Sequence, residues 1–489
     1  MTIAFDNSYV RDLGGFYARV APTPVNQPRL VKFNRALASE LGIDADALLA
    51  GPGAGVFSGN ELLPGSDPIA MAYAGHQFGH FVPQLGDGRA ILLGEVVGRN
   101  GVRRDIQLKG SGPTPFSRRG DGRAALGPVL REYLVSEAMH ALDIPATRAL
   151  AVVTTGEEVY RERALPGAVL TRVAQSHIRV GTFQFFAARG DAAGIRRLAD
   201  YVIARHYPEL KGEGQPYLAL LDAVMERQAR LVARWMHVGF IHGVMNTDNM
   251  AVSGETIDFG PCAFMDAYDP MTVFSSIDEI GRYAYANQAP IAQWNLARFA
   301  ETLLALLDDD RERAIAIATE RVNGFTTTFT AHWLAGMRRK TGLFTEEEGD
   351  DALIWSLLDA MQFSRADFTL TFRRLCDVAE GRDAAPLRDL FAGAQRLDDW
   401  MGRWQARLAR EPQAPQERAA AMRRVNPAFI ARNHRVEAAL AAAVNAGDLA
   451  PFDELFAVLS RPYDDQPDMA HYADPPGPEQ GSYRTFCGT

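Results

Sequence analysis

Cysteine is scarce in this sequence, and the few cysteines lie far apart. The 489 residues contain three, at positions 262, 376 and 487. Their number and spacing match neither the paired cysteines of a disulfide-stabilised domain nor a zinc-binding motif. We therefore expect a reducing, cytoplasmic compartment.

Long apolar runs and an excess of positive charge are also missing. No uncharged apolar run approaches the roughly 18–20 residues that a membrane-spanning helix needs, and the first residues, MTIAFDNSYV, do not form a secretory signal. The 51 Lys and Arg residues are outnumbered by 60 Asp and Glu residues, for a formal net charge of −9. This balance argues against a general binder of nucleic acid or anionic membranes, but it allows a local basic pocket for phosphate.

The chain is too long for one compact core, so several packed subdomains are expected. Residues 1–69 hold one short helical pattern, LVKFNRALASELGI, and are predicted to be an extension packed on the core. Residues 70–180 are predicted to form a mostly β lobe, and residues 181–390 are predicted to form a helical lobe. Residues 391–489 add helices and end in a Pro/Gly-rich tail.

The β lobe and the helical lobe differ in their hydrophobic periodicity. Strand-like runs in the first are AILLGEVV, RRDIQLKG, TRALAVVTTG and GAVLTRVA, with one helical pattern, GPVLREYLVSEAMHALDI, among them. The second begins with a long helical pattern, PYLALLDAVMERQARLVARWMHVGF, which Gly239 can end. Further helices are predicted over 291–320, 351–380, 386–411 and 426–445. We predict an α+β, protein-kinase-like bilobal fold with extra helical segments at both ends.

The stretch HGVMNTDNMAVSGETIDFG begins like the catalytic loop of a protein kinase and ends in DFG. In kinases, H-R-D-x-x-x-x-N supplies a catalytic aspartate and a metal-binding asparagine, and DFG supplies a metal-binding aspartate. Here Asn249 follows His242 at the kinase interval, and Asp258 begins DFG. Val244 stands where the catalytic aspartate belongs. The metal-binding pair is therefore present, whereas the usual general base is missing.

A lysine and a glutamate precede this loop in the order that kinase-like phosphate chemistry requires. Lys109 ends a predicted strand, and Glu132 follows on the predicted helix of the same lobe. Alone, a strand lysine or a helical glutamate is usually a solvated charge, and an aspartate such as Asp258 could simply cap a turn. Chance is a poor explanation for four such residues in the order found in kinases. We therefore predict a phosphate site formed by Lys109, Glu132, Asn249 and Asp258.

Glycine-rich turns and arginines offer further contacts to phosphate oxygens. GHQFGHFVPQLGDGRA and RRGDGRAALG share a GDGR element whose backbone N–H groups could hold phosphate, although GDG also marks ordinary hairpins. Arg172 and Arg179 lie near the predicted lobe junction, although surface salt bridges are the commoner fate of arginine. We interpret the histidines without metal-ligand spacing as structural: His76, His80 and His177.

Longer blocks are more specific than DFG alone: YAGHQFGHFVPQLGDGRA, QLKGSGPTPFSRRGDGRA, HGVMNTDNM, IDFGPCAFMDAYDP and GRYAYANQ. In these blocks the chain resembles the selenoprotein O family. The resemblance implies a kinase-like fold that transfers AMP from ATP to hydroxyl side chains of proteins. It also accounts for Val244, because ATP bound in a flipped orientation presents its α-phosphate, and the usual base position no longer lies beside the reacting centre.

The resemblance also implies roles for individual residues. Asp248 would be the general base, and Asn249 and Asp258 would bind Mg²⁺ or Mn²⁺. Lys109, oriented by Glu132, would bind phosphate. The other residues that the resemblance places at the ATP site, in addition to Asp258, are Gly86, Gly88, Arg89, Asp121, Gly122, Arg172 and Arg179.

The tail cysteine has a counterpart in the family. Cys487 stands where some members carry selenocysteine, and a regulatory disulfide with Cys262, beside DFG, is one hypothesis. An idle exposed thiol is the alternative.

Two other functions remain open. A conventional kinase of the aminoglycoside or choline type is disfavoured by Val244, because that loop reads H-G-D-x-x-x-x-N. A silent pseudokinase scaffold is disfavoured by the intact set of Lys109, Glu132, Asn249 and Asp258. The identity of the acceptor proteins and the choice between AMP and UMP, and thus between ATP and UTP, stay open, and the resemblance suggests that a monomer can work.

Overall fold

The structure, a computed structural model, describes residues 3–393, 395–477 and 483–486. Its strands are β1 (Tyr17–Arg19), β2 (Arg29–Phe33), β3 (Ile69–Met71), β4 (Gly75–Gln77), β5 (His80–Val82), β6 (Ala90–Val97), β7 (Arg103–Lys109), β8 (Ala124–Ala125), β9 (Arg148–Tyr160), β10 (Ala164–Ala174), β11 (Phe240–Ile241) and β12 (Ala263–Phe264).

The helices are α1 (Ser8–Asp12), α2 (Arg35–Glu40), α3 (Ala45–Leu49), α4 (Gly53–Ser58), α5 (Leu126–Ala141), α6 (Val180–Ala187), α7 (Ala192–His206), α8 (Pro216–His237), α9 (Gln288–Leu307), α10 (Arg311–Lys340), α11 (Asp350–Ser364), α12 (Phe368–Glu380), α13 (Ala385–Arg388), α14 (Gln395–Leu408), α15 (Pro415–Arg423), α16 (Asn433–Ala446) and α17 (Ala450–Leu459). Short 3₁₀ turns cover Pro208–Leu210, Thr247–Asn249, Tyr285–Asn287 and Pro467–Tyr472. No helix in the described ranges is long and apolar enough to cross a membrane.

Eight strands form one antiparallel sheet in the order β1-β3-β6-β7-β10-β9-β2, with β8 paired to β10. Strand β7 lies inside this sheet, and its last residue, Lys109, pairs with Ala90 of β6 on one side and Leu170 of β10 on the other. Because both neighbours hold the strand, the backbone of Lys109 is fixed. The fold is thus a mixed α/β arrangement in which an antiparallel sheet precedes a long helical region.

Both faces of the sheet are buried, because successive strand residues point to opposite sides. One face joins the large core formed with α5 and the later helices, through Leu92, Val152 and Leu170. The other face packs against helices α2–α4 in a smaller core, through Leu93, Val153 and Val169. The first 69 residues therefore cover one side of the sheet and also supply its two outermost strands, β1 and β2.

Several helix predictions are corrected at Asn and Asp caps. LVKFNRALASELGI is not one helix, because Arg29–Phe33 pairs with β9 and the side chain of Asn34 then caps α2. The predicted helix 291–320 is divided before α10, which Asp310 caps, and 351–380 is divided before α12, which Asp367 caps. The predicted helix 386–411 corresponds to two helices, α13 and α14. The predicted helix 426–445 corresponds to α16, which is shorter.

The other strand and helix predictions are confirmed. The four strand-like runs form β6, β7, β9 and β10, and the helical pattern among them forms α5. Helix α8 ends at His237, and Gly239 follows in the left-handed conformation with φ +71°. Strands β11 and β12 then pair, with Phe240 opposite Phe264. The ends of the 242–262 segment are thereby held together, so the kinase-like loop and DFG form one excursion from the helical region.

Candidate active site

Four charged side chains from separate elements meet where this excursion contacts the sheet. Lys109, from β7, places its Nζ 2.6 Å from Glu132 Oε2, on α5, and 3.1 Å from Asp258 Oδ1. Arg172, from β10, donates to the same two carboxylates, with its Nη2 3.1 Å from Asp258 Oδ1. Two cations thus alternate with two anions. The structure brings these four predicted residues together.

The charges of this cluster keep its carboxylates ionised. Burial opposes ionisation of Asp258, but Lys109, Arg172 and Arg89 outweigh it and hold the pKa of Asp258 well below its usual value. Burial likewise opposes ionisation of Glu132, and Arg172 and Lys109 reverse its effect, so the pKa of Glu132 is lowered as well. Both groups are therefore anionic at neutral pH.

The backbone at Asp258 is in an uncommon conformation. Its φ is +67°, in the left-handed region that aspartate enters more readily than most residues. The neighbouring side chains of Ile257 and Phe259 are fully buried and hold the turn in place. Backbone strain of this kind persists where the surroundings fix it, and it is common at functional sites.

Asn249 and Asp258 have the donor atoms that a small divalent cation requires. The amide nitrogen of Asn249 donates to the carbonyl oxygen of Val244 at 2.9 Å, which leaves the amide oxygen for a ligand. No group of three or more His, Cys, Asp or Glu side chains in the described residues could hold a metal ion. An Asn–Asp pair nevertheless fits Mg²⁺-like ions, which commonly take one or two protein carboxylates and complete their coordination with phosphate and water oxygens.

Asp248, one residue before Asn249, has very different surroundings. It lies in the 3₁₀ turn Thr247–Asn249 and is 7% exposed. Its Oδ2 accepts one long hydrogen bond from Gln77 Nε2, at 3.3 Å, while Oδ1 is buried and has no hydrogen-bond partner in the described residues. Burial raises the pKa of Asp248 to about 6. A carboxylate of this kind can accept a proton near neutral pH.

The β4–β5 hairpin packs directly on Asp248. A Cβ atom on Gly75 would lie 2.5 Å from Asp248 Oδ1, so this approach requires glycine. The backbone N–H groups of the hairpin hold the neighbouring turn, with His76 N 2.7 Å from Thr247 Oγ1 and Phe78 N 3.0 Å from Asn246 Oδ1. Gln77 and Asn246 are not among the residues predicted from the sequence, since neither carries a local signal of function.

Arg179 links the Asp248 loop to the GDG turn of residues 86–88. Its Nη1 donates to the carbonyl oxygen of Asp248 at 3.1 Å, its guanidinium lies over the Tyr73 ring at 4.2 Å, and its Nη2 is 3.9 Å from Asp87 Oδ1. Asp87 is buried and also accepts from the backbone of Met71 and from Gln107. Asp87 is not among the residues predicted from the sequence, although its place between two predicted glycines was a usable signal.

The two glycines beside Asp87 allow a close approach of another loop. A Cβ on Gly86, whose φ is +76°, would lie 2.3 Å from the Phe116 ring, and one on Gly88 would lie 3.0 Å from the Phe116 carbonyl oxygen. Arg89 follows and lines a cavity of about 430 Å³ with Lys109 and Glu132. The GDG turn therefore borders the charged cluster.

In the described residues, the hydrogen bonds of the Asp121 side chain and of the Cys262 thiol do not involve the charged cluster. Asp121 is exposed, and its carboxylate accepts from Arg161 at 2.8 and 3.1 Å rather than from the charged cluster, while Gly122 packs against Gly112. Cys262 is buried, and burial raises the pKa of its thiol to about 12. This opposes thiolate chemistry in the observed conformation. Cys487 lies outside the described residues, so the disulfide stays a prediction.

Comparisons with known proteins identify the family of this chain. A family model described as Protein adenylyltransferase SelO matches residues 1–460. The chain is similar to the protein nucleotidyltransferase YdiU of Bradyrhizobium sp. (strain ORS 278), with 66% identity over 485 residues that cover 99% of each chain. It is also similar to the YdiU proteins of Rhizobium meliloti (strain 1021), at 66% identity over 99% of each chain, and of Rhizobium rhizogenes (strain K84 / ATCC BAA-868), at 65% over 100% of this chain and 97% of the relative.

Proposed function

The chain belongs to the SelO family of protein adenylyltransferases, and from this premise we propose that it transfers AMP from ATP to Ser, Thr or Tyr hydroxyls of other proteins. The observation that carries the proposal is the contrast within one loop. Asn249 and Asp258, the proposed metal-binding pair, are present, whereas Val244 stands in place of the kinase base and Asp248 is a buried carboxylate in the same segment. These features fit transfer of the α-phosphoryl group rather than of the γ-phosphoryl group.

The proposed architecture is a kinase-like pair of lobes with two additions. Residues 70–180 form the N-terminal lobe and residues 181–390 the C-terminal lobe. Residues 1–69 are an extension that packs on the sheet, and residues 391–489 form a C-terminal helical region. The support is the placement of Lys109 and Glu132 on sheet and helix, opposite a loop that carries Asp258. The enzyme is proposed to be cytoplasmic and to act as a monomer, without nucleic acid or membrane.

The nucleotide would bind with its phosphates at the cluster of positive charge. Lys109, held by Glu132, would contact a phosphate. The remaining charge of the triphosphate would be neutralised by three arginines in or beside the cluster, which are Arg89, Arg172 and Arg179. The proposed backbone and turn contacts come from Gly86, Gly88, Asp121 and Gly122. Asn249 and Asp258 would hold a divalent cation, Mg²⁺ or Mn²⁺, whose charge stabilises the phosphates and the leaving group.

The acceptor hydroxyl would approach from the side of Asp248. Its oxygen attacks the α-phosphorus while the bond to the pyrophosphate oxygen breaks, and the hydroxyl proton passes to Asp248. AMP is then joined to the protein, and pyrophosphate leaves. Because Asp248 Oδ1 has no competing hydrogen bond from the described residues, it is available to the incoming hydroxyl once the hairpin above it admits the acceptor. Positioning and charge neutralisation supply most of the acceleration of such a transfer.

The position of the label in ATP tests this proposal. The purified protein is incubated with Mg²⁺ or Mn²⁺, a protein acceptor mixture and ATP labelled at the α- or the γ-phosphate. We expect protein labelling from α-labelled ATP only, and a parallel reaction with α-labelled UTP measures the preference for the base. Labelling from γ-labelled ATP only would identify a kinase, and no labelling under either condition would favour a silent scaffold.

Val244→Asp provides a matched control for the flipped orientation. The substitution restores the kinase H-x-D pattern, and we expect no strong γ-transfer, because the γ-phosphate would not lie beside that position. Robust γ-transfer by this variant would contradict the proposed nucleotide orientation.

A further inference from the structure

We propose that an aromatic and cationic surface beside Asp248 binds the acceptor protein, with Arg282 pairing to a carboxylate that flanks the acceptor hydroxyl. We name this acceptor surface by its members, which are His76, Phe81, Arg282, Trp294 and Arg298. The inference rests on the proposed function, since it takes Asp248 as the point at which the hydroxyl arrives. It adds a preference for acidic acceptor sequences.

The acceptor surface is connected to the catalytic loop by short contacts. Tyr283, the residue after Arg282, donates its hydroxyl to Asn246 Oδ1 at 2.5 Å, and its ring packs edge-to-face on Phe78 at 5.1 Å. Asn246 also accepts from the N–H of Phe78, on the hairpin that covers Asp248. Arg282 is therefore one residue away from a side chain that contacts both the catalytic loop and the hairpin covering Asp248.

The surrounding residues hold the guanidinium of Arg282 in place. It lies 4.9 Å from the centre of the Trp294 ring, and the hairpin turn packs on its other side, where a Cβ on Gly79 would lie 3.7 Å from Arg282 Cζ. The buried carboxylate of Asp278 fixes the backbone by accepting the N–H groups of Arg282 and Tyr283, each at 2.8 Å. A guanidinium held in this way loses little conformational entropy when it binds a carboxylate.

The positive charge of Arg282 is not neutralised by an ion pair in the described part of the chain. Arg298, which lies 5.0 Å from the same Trp294 ring, differs because it pairs with Glu301 at 2.5 Å. The Nε–H groups of both arginines are buried and have no hydrogen-bond partner in the described residues. In a protein of net charge −9, a preorganised arginine without an ion pair in the described residues, packed on the hairpin that covers the proposed base, favours an anionic partner.

Exposed apolar side chains extend the acceptor surface. Phe81 is 40% exposed on the hairpin, and the segment before Arg282 exposes Ile277 by 54% and Ile280 by 88%. The ring of His76 packs against both Phe81 and Trp294, at 4.9 and 5.2 Å. Arginine and aromatic residues surrounded by apolar groups are typical of sites that bind protein segments.

A pair of synthetic peptides tests the charge preference without requiring catalysis. Each fluorescent peptide carries one tyrosine, flanked by glutamates in one peptide and by lysines in the other. Binding is measured by anisotropy with the full-length protein and with Arg282→Glu, Arg282→Lys and Arg311→Glu. Arg311 is a suitable control because it is an exposed arginine at the first residue of α10, outside the acceptor surface.

We expect the glutamate peptide to bind about tenfold more tightly than the lysine peptide to the unsubstituted protein. Arg282→Glu should remove or invert this preference, Arg282→Lys should retain part of it, and Arg311→Glu should not change it. Equal binding of the two peptides, or an unchanged preference in Arg282→Glu, would overturn the inference. Transfer of α-label is scored separately, so loss of transfer with intact charge preference would contradict the proposed reaction and not the acceptor surface.

Discussion

Asp248 and Asp258 lie on one loop, and their carboxylates have opposite electrostatic surroundings. Asp258 receives hydrogen bonds from Lys109 and Arg172, and its pKa is held well below the usual value. Asp248 receives one long hydrogen bond from Gln77, and burial raises its pKa to about 6. Desolvation acts on both groups. At Asp258 it is outweighed by Lys109 and Arg172, which hydrogen-bond to the carboxylate, whereas at Asp248 the charge of Arg179 does not outweigh it.

The difference indicates separate roles for the two carboxylates. A permanently ionised carboxylate surrounded by cations can hold a metal ion and phosphates but is a poor proton acceptor. A buried carboxylate with a pKa near neutrality suits general base catalysis. Two aspartates can therefore have different roles because their surroundings differ. Lys109 and Arg172, from the sheet, contact Asp258, whereas the β4–β5 hairpin covers Asp248.

Removing the charge of Asp258 should have the largest effect. Asp258→Asn keeps the size of the side chain but removes the anion that pairs with Lys109 and Arg172 and that is proposed to bind the cation. We expect AMP transfer to fall below detection in an assay with α-labelled ATP. Retention of a tenth or more of the activity would show that this carboxylate does not hold the nucleotide complex.

Asp248→Asn should reduce turnover by between about 10² and 10⁴-fold, the range for loss of a general base. Because no hydrogen bond or ion pair in the described residues joins the Asp248 carboxylate to the charged cluster, the KM for ATP should change little. Steady-state kinetics with varied ATP separates the two parameters. A large rise in KM at unchanged kcat would place Asp248 in nucleotide binding instead.

The pH dependence of kcat/KM should have an acidic limb near pH 6. The sign follows from the raised pKa of Asp248: below about pH 6 the carboxyl is protonated and cannot accept the hydroxyl proton, and above it the anion is available. Asp258 adds no limb near neutrality, because its pKa is lowered. A profile without loss of rate between pH 7 and pH 5 would contradict the assignment of the base.

Gln77→Leu should have a smaller effect, on the order of threefold to tenfold in kcat, since it removes one hydrogen bond from a carboxylate. The same change should move the acidic limb upward, because the amide of Gln77 lowers the pKa of Asp248. Gln77→Asn keeps the amide on a shorter side chain and serves as the matched comparison. An unchanged limb in Gln77→Leu would mean that this hydrogen bond does not act on the base.

The smallest effect is expected at Cys262. Its buried thiol has a pKa raised to about 12, so alkylation at pH 7 should be negligible in the folded protein and complete after unfolding. Peptide mapping by mass spectrometry measures the reaction at this position. Rapid labelling of the native protein would show that the segment after DFG opens readily.

The residues that could be predicted from sequence are those with a local pattern. Lys109 ends a strand and Glu132 lies on the only helical pattern of its lobe, while Asn249 and Asp258 stand at kinase-like intervals. Their order along the chain was enough to predict a phosphate site. The contacts between them then depend on the pairing of β7 with β6 and β10, which hydrophobic alternation indicates only in outline.

Residues whose role depends on distant contacts were not predictable. Gln77 and Asn246 are ordinary polar residues in sequence, and they gain meaning because the hairpin folds onto a loop about 170 positions away. Residues 30–33 continue the apolar pattern of α2 and are therefore predicted to be helical, and only pairing with β9 makes them part of a strand. Local periodicity contains no information about either contact.

The metal dependence of ATP binding tests the separation of roles most directly. ATP affinity is measured by titration calorimetry with and without Mg²⁺ for the unsubstituted protein, Asp248→Asn and Asp258→Asn. We predict that Mg²⁺ strengthens ATP binding equally in the first two proteins and has no effect in Asp258→Asn. Loss of the Mg²⁺ effect in Asp248→Asn, or its persistence in Asp258→Asn, would contradict the division between a metal-binding and a proton-accepting carboxylate.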